Sequence, residues 1–201
     1  MSYRAVETNR FVDWRKLGAP AEIPRYREIA RLISDLAPAD VDLLDVGCGA
    51  GLLREHLPDT ITYVGVEPCR EACLSARAIP REKMVIERHS AESFPTAERK
   101  WGCVVLSEVL YYCRDPRGVL EKYGNAVASG GVLIVSIFQK QDPLSHRMRN
   151  MANGWSSNTQ CTRIVERYMQ QGCLFDGRIA RIGATPLHYW RIWAGVKENL
   201  A

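Results

Sequence analysis

An aspartate and three glycines alternate with other residues in the stretch Asp-Val-Gly-Cys-Gly-Ala-Gly, residues 45–51. The mostly apolar residues 41–46 fit one buried strand, and Leu52, Leu53 and Leu57 recur at helical spacing after the glycines. The glycines therefore lie in a predicted strand-to-helix turn, where backbone without Cβ atoms can approach a ligand closely. Such a turn aims the free N–H groups of the helix's first turn at a bound anion.

Two familiar phosphate-binding loops do not match this stretch. A Walker loop ends in Gly-Lys-Ser or Gly-Lys-Thr, whereas Gly51 is followed by two leucines. A dinucleotide fingerprint, Gly-x-Gly-x-x-Gly, would place Leu52 at the third glycine position. The spacing is instead Asp-x-Gly-x-Gly-x-Gly, which resembles motif I of the class I S-adenosylmethionine-dependent methyltransferases. A tight turn that binds nothing is the alternative, and the surrounding residues must decide between the two.

A second acidic candidate, Glu67, closes the next predicted strand, residues 61–66, and is followed by Pro68. A carboxylate at the end of the second strand of a βαβ unit can accept hydrogen bonds from two adjacent ribose hydroxyls. The resemblance implies that Glu67, with Pro68, binds the ribose of the cofactor and that the glycine loop binds its methionine part. The loop residues expected in this contact are Asp45, Gly47, Cys48, Gly49 and Gly51.

A predicted third strand, residues 84–87, leads to Ser90-Ala91-Glu92, which the resemblance places beside the adenine of the cofactor. Many members of this family carry Asp-Ala-Glu at these positions, and their aspartate accepts a hydrogen bond from the adenine amino group. Ser90 replaces that aspartate in this chain. The backbone of Ala91 or the side chain of Glu92 is the expected substitute.

The residues best placed to act on an acceptor follow a buried strand, residues 102–106, in the string Leu-Ser-Glu-Val-Leu-Tyr-Tyr. Because open α/β sheets bind ligands at the carboxyl ends of their strands, Ser107 and Glu108 should lie at the cofactor. The string resembles the matching segment of nodulation-type N-methyltransferases, which methylate an amino sugar. It also resembles the Glu-x-x-Glu-His metal motif of small-RNA 2′-O-methyltransferases, but Tyr111 and Tyr112 replace two ligands. No metal is therefore expected.

Methyl transfer from a sulfonium is an in-line displacement, so an enzyme mainly positions the reactants and removes a proton from the acceptor. Glu108 is the first candidate for contact with the cofactor or the acceptor. Tyr112, His146 and His188 are further candidates for the base. The polar stretch 139–159, rich in Asn and Ser, is either a substrate-binding loop or a surface loop without such a role.

The order of predicted elements indicates an α/β fold of the Rossmann-like kind. We expect a seven-stranded, mostly parallel sheet with an antiparallel last strand and helices on both faces. The chain should form one class I methyltransferase domain, residues 1–201, whose N-terminal arm and helix, residues 1–38, lie over the cofactor. The other predicted elements are helices at 69–78, 116–128 and 160–171, a strand at 132–138 after Gly130-Gly131, and paired strands at 174–182 and 188–196.

The composition is typical of a soluble globular domain, with 46% hydrophobic and 25% charged residues in 201. Neither a membrane span nor a secretory signal is recognisable, so no membrane partner is expected. The seven cysteines are scattered and form no Cys-x-x-Cys pair, which indicates reduced thiols and a cytoplasmic location. The net charge is +4, and the basic residues are too widely spread to predict a nucleic-acid partner. The chain is expected to be a monomer or a homodimer.

The sequence therefore predicts an S-adenosylmethionine-dependent methyltransferase that acts on an N or O atom of a small molecule, such as an amino sugar or a natural-product intermediate. S-adenosylhomocysteine would be the product of the cofactor. Two alternatives stay open. One is a non-catalytic cofactor-binding protein, and the other is an NAD(P)-binding Rossmann oxidoreductase, which would need the glycine that this chain lacks.

Overall fold

Seven strands build one mixed sheet in the part of the chain that the computed structural model describes, residues 20–78, 81–97, 99–140, 158–171, 175–185 and 188–198. In chain order the strands are β1 (Asp42–Val46), β2 (Thr62–Val66), β3 (Met84–Glu87), β4 (Trp101–Ser107), β5 (Val127–Lys140), β6 (Phe175–Thr185) and β7 (His188–Lys197). Their spatial order is β3-β2-β1-β4-β5-β7-β6. Strands β1 to β5 pair in parallel, and β7 runs antiparallel to both β5 and β6.

Both faces of this sheet are buried, which explains why its central strands are almost continuously apolar. Alternate residues point to opposite faces of a strand, so Leu44 and Leu133 belong to one apolar core. Leu43 and Val132, their neighbours along the chain, belong to the other. The two cores hold the strands in a fixed register and thereby fix where each strand ends.

Helices cover the two faces. On the face of Leu43 lie α1 (Ile23–Leu36) and α2 (Arg70–Arg77), and on the face of Leu44 lie α3 (Pro116–Ala126) and α4 (Asn158–Gln171). The start of α3 follows from local chemistry, because the Asp115 side chain accepts a hydrogen bond from the Gly118 N–H at 2.9 Å and proline occupies the first helical position. The predicted fold class is confirmed.

The segment after the glycine loop differs from the prediction. It is a five-residue 3₁₀ helix, Leu52–His56, and not a longer α-helix. Its end is fixed by the buried Arg54 guanidinium, which donates to the carbonyl oxygens of Leu57 at 3.1 Å and Pro58 at 3.2 Å. Proline at 58 has no N–H with which to continue the helix. A long helix with its amino end at the glycine loop is therefore not part of this site.

Strand β5 also departs from the prediction, because it starts at Val127 and runs through Gly130 and Gly131. Trp101 pairs with Val127 and Cys103 with Val132, so the β5 side of the ladder contains extra residues. Gly130 has a φ of 72°, which lets the extra residues form a bulge.

Residues 1–19 and 141–157 lie outside the described residues, so most of the N-terminal arm and of the predicted substrate loop 139–159 is not described. The single domain of residues 1–201 stays a prediction. Among the described helices, none is both long enough and apolar enough to cross a membrane.

Candidate functional site

The polar residues singled out in the sequence gather at one edge of the sheet. Asp45, Glu67 and Ser107 lie at or just after the carboxyl ends of β1, β2 and β4. Strands β1 and β4 are neighbours, and the chain order reverses between them. In open α/β sheets this reversal creates the crevice in which ligands bind.

The glycine loop folds back over the end of β2. The N–H groups of Gly47 and Cys48 both donate to the Val66 carbonyl oxygen, at 2.7 and 3.1 Å. Gly47, Gly49 and Gly51 have φ angles of 71°, 55° and 74°, in the left-handed region that L-residues with a side chain rarely adopt. The loop thus needs glycine at these positions for its backbone path alone.

Glu67 is tied to this loop through its carboxylate. One oxygen accepts the Gly49 N–H at 3.0 Å, and the other accepts the N–H of Cys69, just beyond Pro68, at 2.9 Å. Burial raises the pKa of Glu67, and the two backbone hydrogen bonds partly offset that rise. Since a carboxylate offers about four acceptor positions, roughly two remain free for a ligand.

Asp45 lies behind the loop in a closed environment. Its side chain is 3% exposed and accepts a hydrogen bond from the Tyr63 hydroxyl at 2.6 Å. Burial raises the pKa of Asp45 to about 7, although the Tyr63 hydrogen bond and the charge of Arg25 act in the opposite direction. Asp45 is therefore bound to β2 through Tyr63, and the Cys48 thiol is also buried.

Replacing Asp45 by Asn should make the protein more stable at about pH 8, with a melting temperature higher by about 3 °C or more. The folded chain keeps the Asp45 proton up to a pH of about 7, whereas a free aspartate loses it near 3.8. The folded state therefore binds more protons between these values, and stability falls as pH rises through them. Asparagine cannot ionise and can still accept from Tyr63.

Thermal melts followed by circular dichroism measure this difference, which should shrink as the pH falls toward about 5. An Asp45→Asn variant that is less stable than the parent at about pH 8 would mean that the folded protein keeps Asp45 ionised.

The loop Ser90-Ala91-Glu92 is held from α3. The Ala91 carbonyl oxygen accepts from the Tyr123 hydroxyl at 3.0 Å and from the Lys122 ammonium at 3.1 Å. Lys122 also donates to the carbonyl oxygens of Glu92 and Phe94, at 2.9 and 2.5 Å. The path of this loop is thus set mainly through its carbonyl groups.

The side chains of this loop are mostly engaged with the loop's own surroundings. Ser90 Oγ accepts the Ser93 N–H at 3.1 Å, which closes a local turn. The Glu92 carboxylate accepts the Arg114 N–H at 3.0 Å. Of the two expected substitutes for the missing aspartate, the Ala91 carbonyl oxygen already accepts two hydrogen bonds, whereas the Glu92 carboxylate accepts one and keeps further acceptor positions.

Glu108 is the centre of a hydrogen-bonded group that joins the end of β4 to Ser136, within β5. Its carboxylate accepts from the Tyr111 hydroxyl at 2.6 Å and from Ser136 Oγ at 3.2 Å, and Ser136 Oγ lies 3.0 Å from Ser107 Oγ. Its φ is 62°, unusual for a residue other than glycine, and its N–H donates to the Ser136 carbonyl oxygen at 3.1 Å. Such conformations occur most often at functional sites.

The candidate bases differ in how readily they take a proton. Burial raises the pKa of Glu108 to about 7, against the lowering effects of Arg25, Tyr111 and Ser136. Burial and the charge of Glu108 raise the pKa of Tyr112 to about 12. His146 lies outside the described residues, and of His188 only the backbone, paired with Lys140, is described. Glu108 is thus the described candidate poised near neutral pH.

Two members of this group, Arg25 and Ser136, were not predicted from the sequence. Arg25 is 2% exposed and donates to Ser107 Oγ. Both residues leave a trace in the sequence, since Arg25 falls on the apolar stripe of α1 with Ile29 and Leu32, and Ser136 interrupts the apolar run of β5. A polar residue on a buried face needs a partner, and that rule was the available signal.

No cluster of three or more His, Cys, Asp or Glu side chains that could hold a metal ion occurs within the described residues.

This chain is similar to known methyltransferases along much of its length. A family profile described as a methyltransferase domain matches residues 22–175. The ubiquinone biosynthesis O-methyltransferase of Ruegeria sp. (strain TM1040) is 31% identical over 121 residues, which are 58% of this chain and 49% of that protein. The enzyme of the same name from Colwellia psychrerythraea (strain 34H) is 30% identical over 110 residues, 50% of this chain and 43% of that protein. The chain spans about half the length of the curated relatives it matches.

Solved structures with the same fold cover nearly the whole chain. The N-methyltransferase NodS from Bradyrhizobium japonicum WM9, in complex with S-adenosylhomocysteine, superposes with a TM-score of 0.67 at 19% identity, over 98% of each chain. The plantazolicin methyltransferase BpumL, in complex with a triazolic desmethylPZN analogue and S-adenosylhomocysteine, superposes with a TM-score of 0.72 at 10% identity, over 98% of this chain and 96% of that chain. At these identities the likeness concerns the fold. Because the family profile spans most of the described sheet, the chain belongs to the methyltransferase domain family, as the motifs predicted.

Proposed function

We propose that this protein transfers a methyl group from S-adenosylmethionine to an N or O atom of a small molecule of amino-sugar or natural-product type. The observation that carries this proposal is the hydrogen bond between Glu67 and the Gly49 N–H, which ties the ribose-binding candidate to the glycine loop. Glu108 lies along the same edge of the sheet, at the end of β4.

The residues present fit such a cofactor. The carboxylate of Glu67 keeps about two acceptor positions, as a pair of adjacent ribose hydroxyls requires. A methionine part would lie against the glycine loop, with Asp45 and Cys48 buried behind it, and an adenine would lie toward Ser90-Ala91-Glu92. Ser107 would complete the site. When bound, the cofactor supplies an activated methyl group on a sulfonium, and S-adenosylhomocysteine is present in the structures of both neighbours above.

Within this proposal, Glu108 accepts the proton that the acceptor loses. Its pKa of about 7 leaves a substantial fraction as carboxylate at neutral pH while keeping it able to hold a proton. Tyr112, 36% exposed and with its ring centroid 4.6 Å from that of Tyr111, offers an aromatic surface beside the residue that donates to Glu108. Its own pKa of about 12 makes it a poorer base than Glu108.

The proposal includes both nitrogen and oxygen acceptors, because the similar proteins include both O- and N-methyltransferases. The curated relatives are named as O-methyltransferases, and NodS is named as an N-methyltransferase. Both chemistries need a positioned acceptor and a base, which Glu108 provides in either case. A cytoplasmic location belongs to the proposal, since the cysteines among the described residues are free thiols.

Calorimetric titration with S-adenosylhomocysteine, with NAD as the control ligand, tests the cofactor. We expect S-adenosylhomocysteine to bind and NAD not to bind. Transfer of radiolabelled methyl from S-adenosylmethionine to a panel of amino sugars, phenols and small alcohols then tests catalysis. Binding of NAD alone would favour an oxidoreductase, and binding of S-adenosylhomocysteine without transfer to any acceptor would favour a non-catalytic role.

Glu67→Gln should weaken S-adenosylhomocysteine binding by about 10- to 100-fold, because hydrogen bonds to a charged group contribute roughly 1.5–3 kcal/mol. The amide also turns a donor toward one of the two backbone N–H groups that the carboxylate accepts. Calorimetry measures the change. Glu71→Gln, an exposed carboxylate on the following helix, is the matched control and should bind like the parent. Equal affinities for both variants would remove Glu67 from the ribose site.

A further inference from the structure

We propose that Arg25 is a positioning residue of this site, which acts through Ser107 and Ser136 to keep Glu108 in its carboxylate form until the acceptor arrives. This inference rests on the proposed function only in giving Glu108 the role of base. It assigns a task to the first helix, α1, beyond packing against the sheet.

Arg25 is a buried cation with an unusual set of partners. Its side chain donates to Glu22 at 3.0 Å and to Ser107 Oγ, and its guanidinium carbon lies 4.4 Å from the centre of the Tyr26 ring. The ring of Trp190, on β7, lies 5.7 Å from the same carbon. A buried charge is costly unless it is paired, so the position of Arg25 is fixed by these contacts.

The directions of the hydrogen bonds follow from the number of hydrogens available. Arginine can only donate, so Ser107 Oγ accepts from Arg25. Ser136 Oγ has one hydrogen, which it gives to the Glu108 carboxylate, so in the 3.0 Å contact with Ser136 the donor must be Ser107. Every hydrogen in the series Arg25, Ser107, Ser136 therefore points toward Glu108. Such an ordered series favours a negative charge at its end.

Two charges at the start of α1 act on Glu108 in opposite directions. Burial raises the pKa of Glu108 most, Arg25 is the largest opposing influence, and Glu22 raises the pKa. Hydrogen bonds from Tyr111, in the turn after β4, and Ser136, on β5, lower it. Glu22, the residue before α1, and Arg25, in its first turn, thus have opposite effects on the pKa of Glu108, and that difference is measurable.

The test is a direct titration of Glu108 by carbon NMR in protein labelled at the glutamate carboxyl carbons, with Glu108→Gln to assign the signal. We expect Arg25→Met to raise the pKa of Glu108 by about one unit or more, since it removes a nearby opposite charge. Glu22→Gln should lower that pKa, and Arg25→Lys should restore much of the parent value. Ser107→Ala should raise it by breaking the series while both charges remain.

Arg31→Met is the matched control, because Arg31 is on the same helix and its side chain is 53% exposed. It should leave the Glu108 titration unchanged, and the Glu67 signal should stay constant in every variant. An unchanged Glu108 pKa in both Arg25→Met and Glu22→Gln would overturn the proposal. An unchanged value in Ser107→Ala would overturn the part assigned to the serines. If Arg25→Met fails to fold, Glu22→Gln and Ser107→Ala still decide.

This titration requires neither an acceptor nor turnover, so its result does not depend on the proposed reaction. Absence of S-adenosylhomocysteine binding in the parent protein would refute the proposed function. The effect of each variant on the pKa of Glu108 could still be measured and interpreted. Once an acceptor is known, the pH at which the methyl-transfer rate falls on the acid side should shift in the same variants, and in the same directions, as the pKa of Glu108.

Discussion

Glu108→Gln should lower kcat for methyl transfer by about 10²- to 10⁴-fold, the usual contribution of a positioned base. Tyr111 and Ser136 donate to different oxygens of Glu108, so glutamine keeps the size of the side chain and the acceptor for one of them, but it cannot take a proton. The affinity for S-adenosylhomocysteine should stay near that of the parent. Single-turnover assays with radiolabelled S-adenosylmethionine separate the chemical step from binding.

The same variant should also change the pH dependence. With a pKa of about 7, Glu108 is protonated and inactive as a base at lower pH, so the parent rate should rise with pH through that value. In Glu108→Gln this limb should disappear. Glu121→Gln, at an exposed carboxylate on α3, is the control and should keep both the rate and the profile. If Glu108→Gln retains the parent rate, another residue, such as His146, acts as the base.

Gly47→Ala should destabilise the protein by about 2–5 kcal/mol, the sum of a left-handed alanine and an overpacked contact. Gly47 has a φ of 71°, and a Cβ there would lie 2.3 Å from Val109 Cγ2. Because the Gly47 N–H donates to Val66, a shift of the backbone would also disturb the loop that holds Glu67. Urea unfolding measures the first effect, and calorimetry with S-adenosylhomocysteine measures the second.

Gly51, in the same loop, distinguishes the cost of the left-handed backbone conformation from the cost of a steric clash. Gly51 has a φ of 74°, but a Cβ at this position would meet Ala76 Cβ at 3.4 Å, an ordinary contact. Gly51→Ala should therefore lose only about 1–2 kcal/mol, the cost of the backbone conformation. Adding Val109→Ala to Gly47→Ala should relieve part of the larger loss. Equal destabilisation by the two single glycine variants would show that the contact with Val109 does not matter.

The sequence could predict those parts of the fold whose pattern is local. Apolar runs indicated the five parallel strands, and the last two segments matched the strand pair that closes the sheet of the resembled family. The placement of Glu67 one strand beyond the glycines indicated that both lie at the same edge of the sheet. Leucine spacing predicts a longer helix after Gly51 than the observed 3₁₀ helix, because it does not reveal that the Arg54 side chain binds the carbonyl oxygens at its end.

The partners of Glu108 could not be found by spacing alone. Arg25 and Ser107 are separated by 82 residues, and Ser107 and Ser136 by 29, so only the assembled sheet brings them together. The sequence shows that Arg25 and Ser136 are polar residues on otherwise apolar faces. Their partners, however, depend on the register of β4 with β5, which pairs Ser107 with Ser136.

The attachment of residues 91–94 to Lys122 and Tyr123 has a consequence for how this chain can change over evolutionary time. The loop is fastened to α3 by its carbonyl oxygens, which every amino acid carries, and this attachment does not depend on the loop's own side chains. Replacement of Ser90 by an acid would therefore leave the attachment to α3 in place. A library randomised at positions 90, 92 and 93 should consequently yield mostly folded proteins, whereas Lys122 would tolerate far fewer replacements. The chain thus separates the residues that fasten this loop from those free to vary within it.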